Sequence, residues 1–216
     1  MRFQNREQAA RLLARKLAKY RGKNPLVLGI PRGAVPMAKI IADALGGELD
    51  VVLVHKLGAP GQPELAIGSV DETGQLYVSE YARDLGISDE YIKAEKESQL
   101  ETLRLRRNLY TPFRPPIDPS DRIVIVVDNG IATGATMIAA LRAVRARQPA
   151  KLIAAAAVVS PQTLRRIAVE ADKVVCLEVP VLFYAVGQFF EDFPQVSDED
   201  VIEILRESAS GTAMRE

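Results

Sequence analysis

The sequence is poor in the features that mark many common functions. It has one cysteine, Cys176, which excludes an intramolecular disulfide framework and is compatible with a reducing compartment. The run Lys173-Val174-Val175-Cys176-Leu177 reads as a buried strand, where apolar surroundings raise a thiol pKa and leave it inert. One histidine, His55, cannot by itself build a metal cluster. Neither charge is in excess, since 28 Lys plus Arg balance 28 Asp plus Glu, so no global field draws nucleic acid or an anionic membrane, and neither partner is expected. No apolar run reaches bilayer length, and Met1 to Glu7 carries no continuous apolar stretch, so the expected location is cytoplasmic. Two nucleotide-binding fingerprints, Gly-x-x-x-x-Gly-Lys-Ser/Thr and Gly-x-Gly-x-x-Gly, are also missing.

Apolar residues make up 48% of the 216, enough for one sizeable core, and the expected organisation is a single domain over 1–216. Helical spacing of Ala9, Leu12, Leu13 and Leu17 predicts a helix over about 5–20. Leu26 to Ile30 reads as a strand closed by Pro31-Arg32-Gly33, followed by a helix from Val35 to Leu45. Val51 to Val54 reads as a second buried strand. His55 to Glu64, dense in glycine and proline, reads as a long loop. Leu65 to Val70 and Gln75 to Val78 form an expected hairpin. A charged helix over Ser88 to Tyr110 gives a helical insertion at about 79–112, with Arg104, Arg106 and Arg107 on a solvated face. The stiff linker 112–119 is expected to lack hydrogen-bonded structure. Strands at 123–127, 152–159 and 174–177, alternating with helices at 136–147 and 162–168, are continuously apolar. That pattern argues for an α/β fold with a parallel β-sheet covered by helices on both faces.

In such a sheet, ligands bind beyond the carboxyl ends of the strands. The segment after Val127 is Asp128-Asn129-Gly130-Ile131-Ala132-Thr133-Gly134-Ala135-Thr136. Its glycines permit close backbone approach, successive N–H groups and a helix N-terminus suit an anion, and the threonines add hydroxyl donors. Asp128 supplies acceptors for hydroxyl groups. Phosphate plus polyol is the chemistry of a sugar phosphate.

Val124 to Thr136 resembles the signature of the type I phosphoribosyltransferases: an apolar run, two acidic residues, then Gly-x-x-Thr-Gly-x-Thr. The resemblance implies that family's fold, with core segments at about 24–56 and 120–178 and a small C-terminal hood at about 179–195. It implies that the residues at 128 and 129 hold the ribose of phosphoribosyl pyrophosphate, and that Ala132 to Thr136 bind its 5-phosphate, with Gly130 and Ile131 beside them. It implies a diphosphate loop at Pro31, Arg32 and Gly33, with a strained non-proline cis peptide at Arg32, and a basic contribution from His55-Lys56, where Lys56 reaches the pyrophosphate. Gly58 to Glu64 looks like the mobile loop that closes over such sites. Tyr184, in the aromatic stretch 180–192, takes the place of a base-stacking residue. Mg2+ is the implied cofactor, held indirectly near Asp128 through water or ribose, and a homodimer is an implied partner state.

Two positions depart from the family pattern. The second acid is Asn129, and the loop position that carries a proton-transferring aspartate in purine-salvage members is Ala132. The expectation is transfer of a phosphoribosyl group to a nucleobase-like nitrogen acceptor with release of pyrophosphate, catalysed by Asp128, Asn129, Lys56 and Arg32, at reduced activity because of Asn129. The alternative is a non-catalytic sensor of phosphoribosyl pyrophosphate or a nucleotide.

Overall fold

The computed structural model describes residues 2–213; Met1 and 214–216, the ends of the expected span, lie outside the described residues. The Asn5 side chain accepts a hydrogen bond from the Gln8 N–H (2.9 Å) and so caps α1 (Arg6–Lys16). A 3-10 turn, Ala18–Tyr20, replaces the last part of the expected first helix. Then follow β1 (Leu26–Gly29), α2 (Val35–Leu45), β2 (Glu48–Val51), β3 (Val54–Ala59), β4 (Gln62–Asp71), β5 (Leu76–Val78), α3 (Glu80–Asp84) and α4 (Asp89–Tyr110). The second half comprises β6 (Ile123–Ile131), α5 (Ala135–Arg145), β7 (Lys151–Val159), α6 (Pro161–Ala168), β8 (Lys173–Glu178) and α7 (Asp198–Ala213).

Five strands form one parallel sheet in the order β2-β1-β6-β7-β8. Its strands are apolar throughout because both faces are covered. Val27, Ile125, Val127 and Ile153 join the core built with α1, α2 and α7, while Leu26, Val124, Val126 and Leu152 join the core beneath α5 and α6. Strand order reverses between β1 and β6, and the loops after these two strands therefore open into one crevice. A second, antiparallel sheet, β3-β4-β5, stands beside the first.

That second sheet corrects two sequence readings. Val51 to Val54 is not one strand: β2 ends at Val51, and Val54 opens β3. His55 to Glu64 is not a loop but the β3-β4 hairpin, turning at Pro60-Gly61, where Gly61 takes a φ of 70°. The register slips between Leu57 and Gly58 and again between Gly58 and Ala59, so β4 carries extra residues opposite β3. Glycine and proline here build a turn rather than an open loop. The expected hairpin of β4 and β5 is present, with Ser69 opposite Tyr77.

The linker 112–119 also differs from expectation. It has no regular structure, yet Arg114 Nε donates to the Leu49 carbonyl (3.0 Å) and the Ile117 N–H donates to Asp50 (2.9 Å), tying the linker to β2. Arg107 leaves the expected solvated face of α4 entirely. It is 9% exposed, pairs with Glu72, and reaches Asp50 (3.4 Å) and the Val51 carbonyl (3.3 Å). Helical phase puts it on the same inward stripe as Leu100, Leu103 and Tyr110. Burial pushes the Asp50 carboxyl up, and Arg107 pulls it back towards ionisation.

Removing one partner of a buried pair leaves an uncompensated charge, which typically costs about 3–5 kcal/mol. Arg107→Ala is therefore expected to lower the denaturation free energy by about that amount in urea titration, and adding Asp50→Asn is expected to recover part of the loss.

Candidate functional site

The strand β6 continues through Asp128, Asn129, Gly130 and Ile131, which the sequence reading assigned to the loop, so the loop begins at Ala132, the start of the expected phosphate segment. Ile131 is core, and its carbonyl accepts the Ser160 N–H (3.1 Å). Gly130 serves packing: a Cβ there would stand 2.6 Å from Val158 and 2.8 Å from Val186 of the hood. The loop proper is Ala132, Thr133 and Gly134. Ser160 Oγ and Thr163 Oγ1 donate to the Ala132 carbonyl (2.9 and 2.5 Å), and Arg166 donates to the Thr133 carbonyl (2.9 Å). Both carbonyls are held from the α6 side. Gly134, at φ 80°, caps α5 and lies against Thr163, leaving no room for a side chain.

Among the described residues, the N–H groups of Ala132, Thr133, Gly134, Ala135 and Thr136 have no hydrogen-bond partner. Ala132, Thr133 and Thr136 are exposed. A run of free amides at the positive end of a helix, with two hydroxyls, is built to receive an anion such as a phosphate.

Asp128 and Asn129 occupy the last turns of β6 next to this cradle. Asp128 is half-buried; its carboxyl accepts the Asn129 N–H (2.7 Å) and is also bonded by the Gly130 N–H. Desolvation nevertheless dominates and pushes the Asp128 pKa up to about 7. Asn129 is 8% exposed and accepts Arg6 Nε at 3.2 Å. Its Nδ2 approaches the Pro31-Arg32-Gly33 loop so closely that a Cβ on Gly33 would stand 2.6 Å away. The crevice thus brings Gly33 and Asn129 together.

The peptide bond Pro31-Arg32 is cis, at the position expected for it. Arg32 is exposed and its Nη1 contacts Asp198 of α7 (3.4 Å). Asp198 is anchored in turn by the hydroxyl of Tyr110 (2.5 Å) and faces Arg106 (3.9 Å). Asp198 and Arg6 join the site from the two ends of the chain, and neither belongs to a readable motif. The acidic start Ser197-Asp198-Glu199-Asp200 is the one local signal for α7, an element absent from the sequence reading.

Lys56 and His55 lie on β3, which departs from the end of β2; Lys56 pairs in register with Ser69, and His55 Nδ1 sits 2.9 Å from the Lys56 carbonyl. The aromatic stretch divides in two. Phe189 and Phe190 are core, with Phe190 stacked on Phe193 at 4.6 Å, whereas Tyr184 is 81% exposed. Gln188 staples the turn that presents Tyr184, accepting from Tyr184 N and Ala185 N and donating to the Leu182 carbonyl. No group of three or more His, Cys, Asp or Glu among the described residues is arranged to hold a metal ion. No helix among them is long and apolar enough to cross a membrane.

Asp128 stands at a cost. Its folded pKa lies above the ordinary carboxylate value of about 3.9, so its contribution to stability is favourable below that value and is lost as pH rises through 7. Asp128→Asn keeps an acceptor without the charge. The substitution is expected to raise stability at pH 8 by about 1–3 kcal/mol, allowing for partial solvent screening, with the gain shrinking towards pH 4 in thermal melts.

Residues 3–192 match the phosphoribosyl transferase domain family. The crystal structure of TT1426 from Thermus thermophilus is 46% identical and superposes with a TM-score of 0.87, covering 96% of this chain and 99% of that one. "Putative phosphoribosyl transferase Rv0571c" from Mycobacterium tuberculosis (strain ATCC 25618 / H37Rv) is 41% identical over 204 residues, 94% of this chain and 46% of the relative. The same figures hold for MT0597 of the CDC 1551 / Oshkosh strain, so the chain spans about half the length of the curated relatives it matches. By the match over residues 3–192 and the relatives 46% and 41% identical to it, this chain belongs to the phosphoribosyl transferase domain family.

Proposed function

We propose that the crevice binds phosphoribosyl pyrophosphate and transfers its phosphoribosyl group to a nitrogen nucleophile of nucleobase type, releasing pyrophosphate. The observation that carries this reading is the run of unpartnered N–H groups from Ala132 to Thr136, with Asp128 beside it on the same strand end. The amides and the hydroxyls of Thr133 and Thr136 receive the 5-phosphate. Asp128, ionised above pH 7, accepts from a ribose hydroxyl, and Asn129 offers a neutral acceptor. In this reading Arg32 and Lys56 neutralise the diphosphate as the bond from the anomeric carbon to pyrophosphate breaks, its electron pair leaving with the pyrophosphate, while the acceptor nitrogen's lone pair forms the new bond to that carbon. Tyr184, exposed on the hood, offers a face to a flat acceptor.

The donor set fits Mg2+ as a ligand-borne ion: Asp128 offers a carboxylate beside the cradle while Asp198 is engaged by Arg32 and Tyr110, which suits a cation that keeps several waters and binds phosphate oxygens. When bound, it supplies further neutralisation of the diphosphate. A homodimer and a cytoplasmic setting belong to the same proposal.

A second reading, a non-catalytic sensor of the same ligand, is favoured by Asn129 in place of the second acid and Ala132 in place of a proton-transferring side chain. Pyrophosphate isotope exchange with magnesium, across a panel of nucleobases, separates the two. Transfer predicts exchange with at least one base and a loss of roughly tenfold or more in Lys56→Ala and in Arg32→Ala. Binding of phosphoribosyl pyrophosphate without exchange on any base would support the sensor, and absence of binding would sink both.

A further inference from the structure

Arg6 is the first residue of α1, remote in sequence from every motif, yet its guanidinium closes one wall of the crevice. Nε donates to Asn129 Oδ1 (3.2 Å), Nη1 donates to the Pro194 carbonyl (2.8 Å), and the group lies 3.8 Å over the Phe193 ring. Nη2 makes no hydrogen bond among the described residues and stands next to Gly33: a Cβ built on that glycine would be 3.6 Å from it. Arg6 also forms no ion pair among the described residues; burial, the larger effect, opposes its charge, and the field of Asp192 favours it. A half-buried guanidinium, fixed on three sides by neutral groups and aimed at a loop of the diphosphate type, is an incomplete anion site.

Resting on the reading above, we propose that Arg6 is a second arginine of the diphosphate subsite, and that the amide at position 129 keeps its charge available to an anionic oxygen. Asn129 orients Nε by accepting its hydrogen without cancelling the charge. An aspartate at 129, the residue of the family signature, would form a charge-assisted pair with Arg6 and occupy it internally. The departure at 129 and the position of Arg6 are then one feature. It trades a carboxylate beside the ribose for a cation beside the leaving group.

The test is calorimetric titration, with magnesium present, of inorganic pyrophosphate and separately of ribose 5-phosphate, into the unmodified protein, Arg6→Ala, Arg6→Lys and Asn129→Asp. The expected result is a loss of about tenfold or more in pyrophosphate affinity for Arg6→Ala, a smaller loss for Arg6→Lys, and a loss for Asn129→Asp, with ribose 5-phosphate affinity within about twofold in the two Arg6 variants. Asn129→Asp retains the Arg6 stack on Phe193, so it tests charge even if Arg6→Ala loosens the hood. Unchanged or tighter pyrophosphate binding in Asn129→Asp, or equal losses for both ligands in Arg6→Ala, would overturn the inference. Binding of ribose 5-phosphate but not pyrophosphate by the unmodified protein would also overturn it while leaving the phosphate cradle standing. Failure to bind either ligand would instead remove the proposed function itself.

Discussion

The hydrogen bonds from Ser160 and Thr163 to the carbonyl of Ala132 fix the direction of the loop on which the candidate site depends. A peptide unit has its carbonyl and N–H on opposite sides, so holding the carbonyls of Ala132 and Thr133 against α6 turns the adjoining N–H groups away from it. Thr163 is 3% exposed and acts twice: its hydroxyl holds Ala132, and its methyl occupies the space where any side chain at Gly134 would stand. Gly134 can then take the left-handed conformation that starts α5 with its first amides free. The cradle is thus preorganised by the neighbouring βα unit, and an arriving anion does not have to order it.

Charge is distributed around this crevice in an unusual way for a family whose pattern calls for two acids. One carboxylate, Asp128, is retained in a setting that disfavours its charge. Its neighbour is an amide, Arg6 approaches from the N-terminal helix, and Arg32 is steered by Asp198 from the C-terminal helix. The N-terminal segment also clamps the hood, with Phe3 bridging Phe190 and the backbone of Glu191 and Asp192 bonded to Phe3 and Gln4. Both chain ends of the described residues therefore bear on the site. Residues 193–213, including Asp198, fall beyond the stretch matched by the family.

The parallel sheet, the β6-α5 unit and the cis-peptide loop were legible because their signals are local: continuous apolar runs, a glycine-threonine signature, and a Pro-Arg-Gly turn at a strand end. The β3-β4 hairpin was not, since proline and glycine mark a turn as readily as an open loop, and pairing across the slip is a long-range choice. Arg107 looked solvent-facing as a residue type and was drawn inward by Asp50 and Glu72, residues far from it in sequence. Arg6, Asp198, Ser160 and Thr163 share that cause. Their roles arise from approaches across many residues, 123 in the case of Arg6 and Asn129, which no window of sequence contains.

The most direct test of the cradle is amide-resolved NMR during titration with ribose 5-phosphate. The account predicts the largest shifts at the N–H groups of Ala132, Thr133, Gly134, Ala135 and Thr136, with the Ser160 and Thr163 region moving little because its bonds are already made. Saturation of the protein without movement of those amides, or shifts centred elsewhere on the surface, would contradict it.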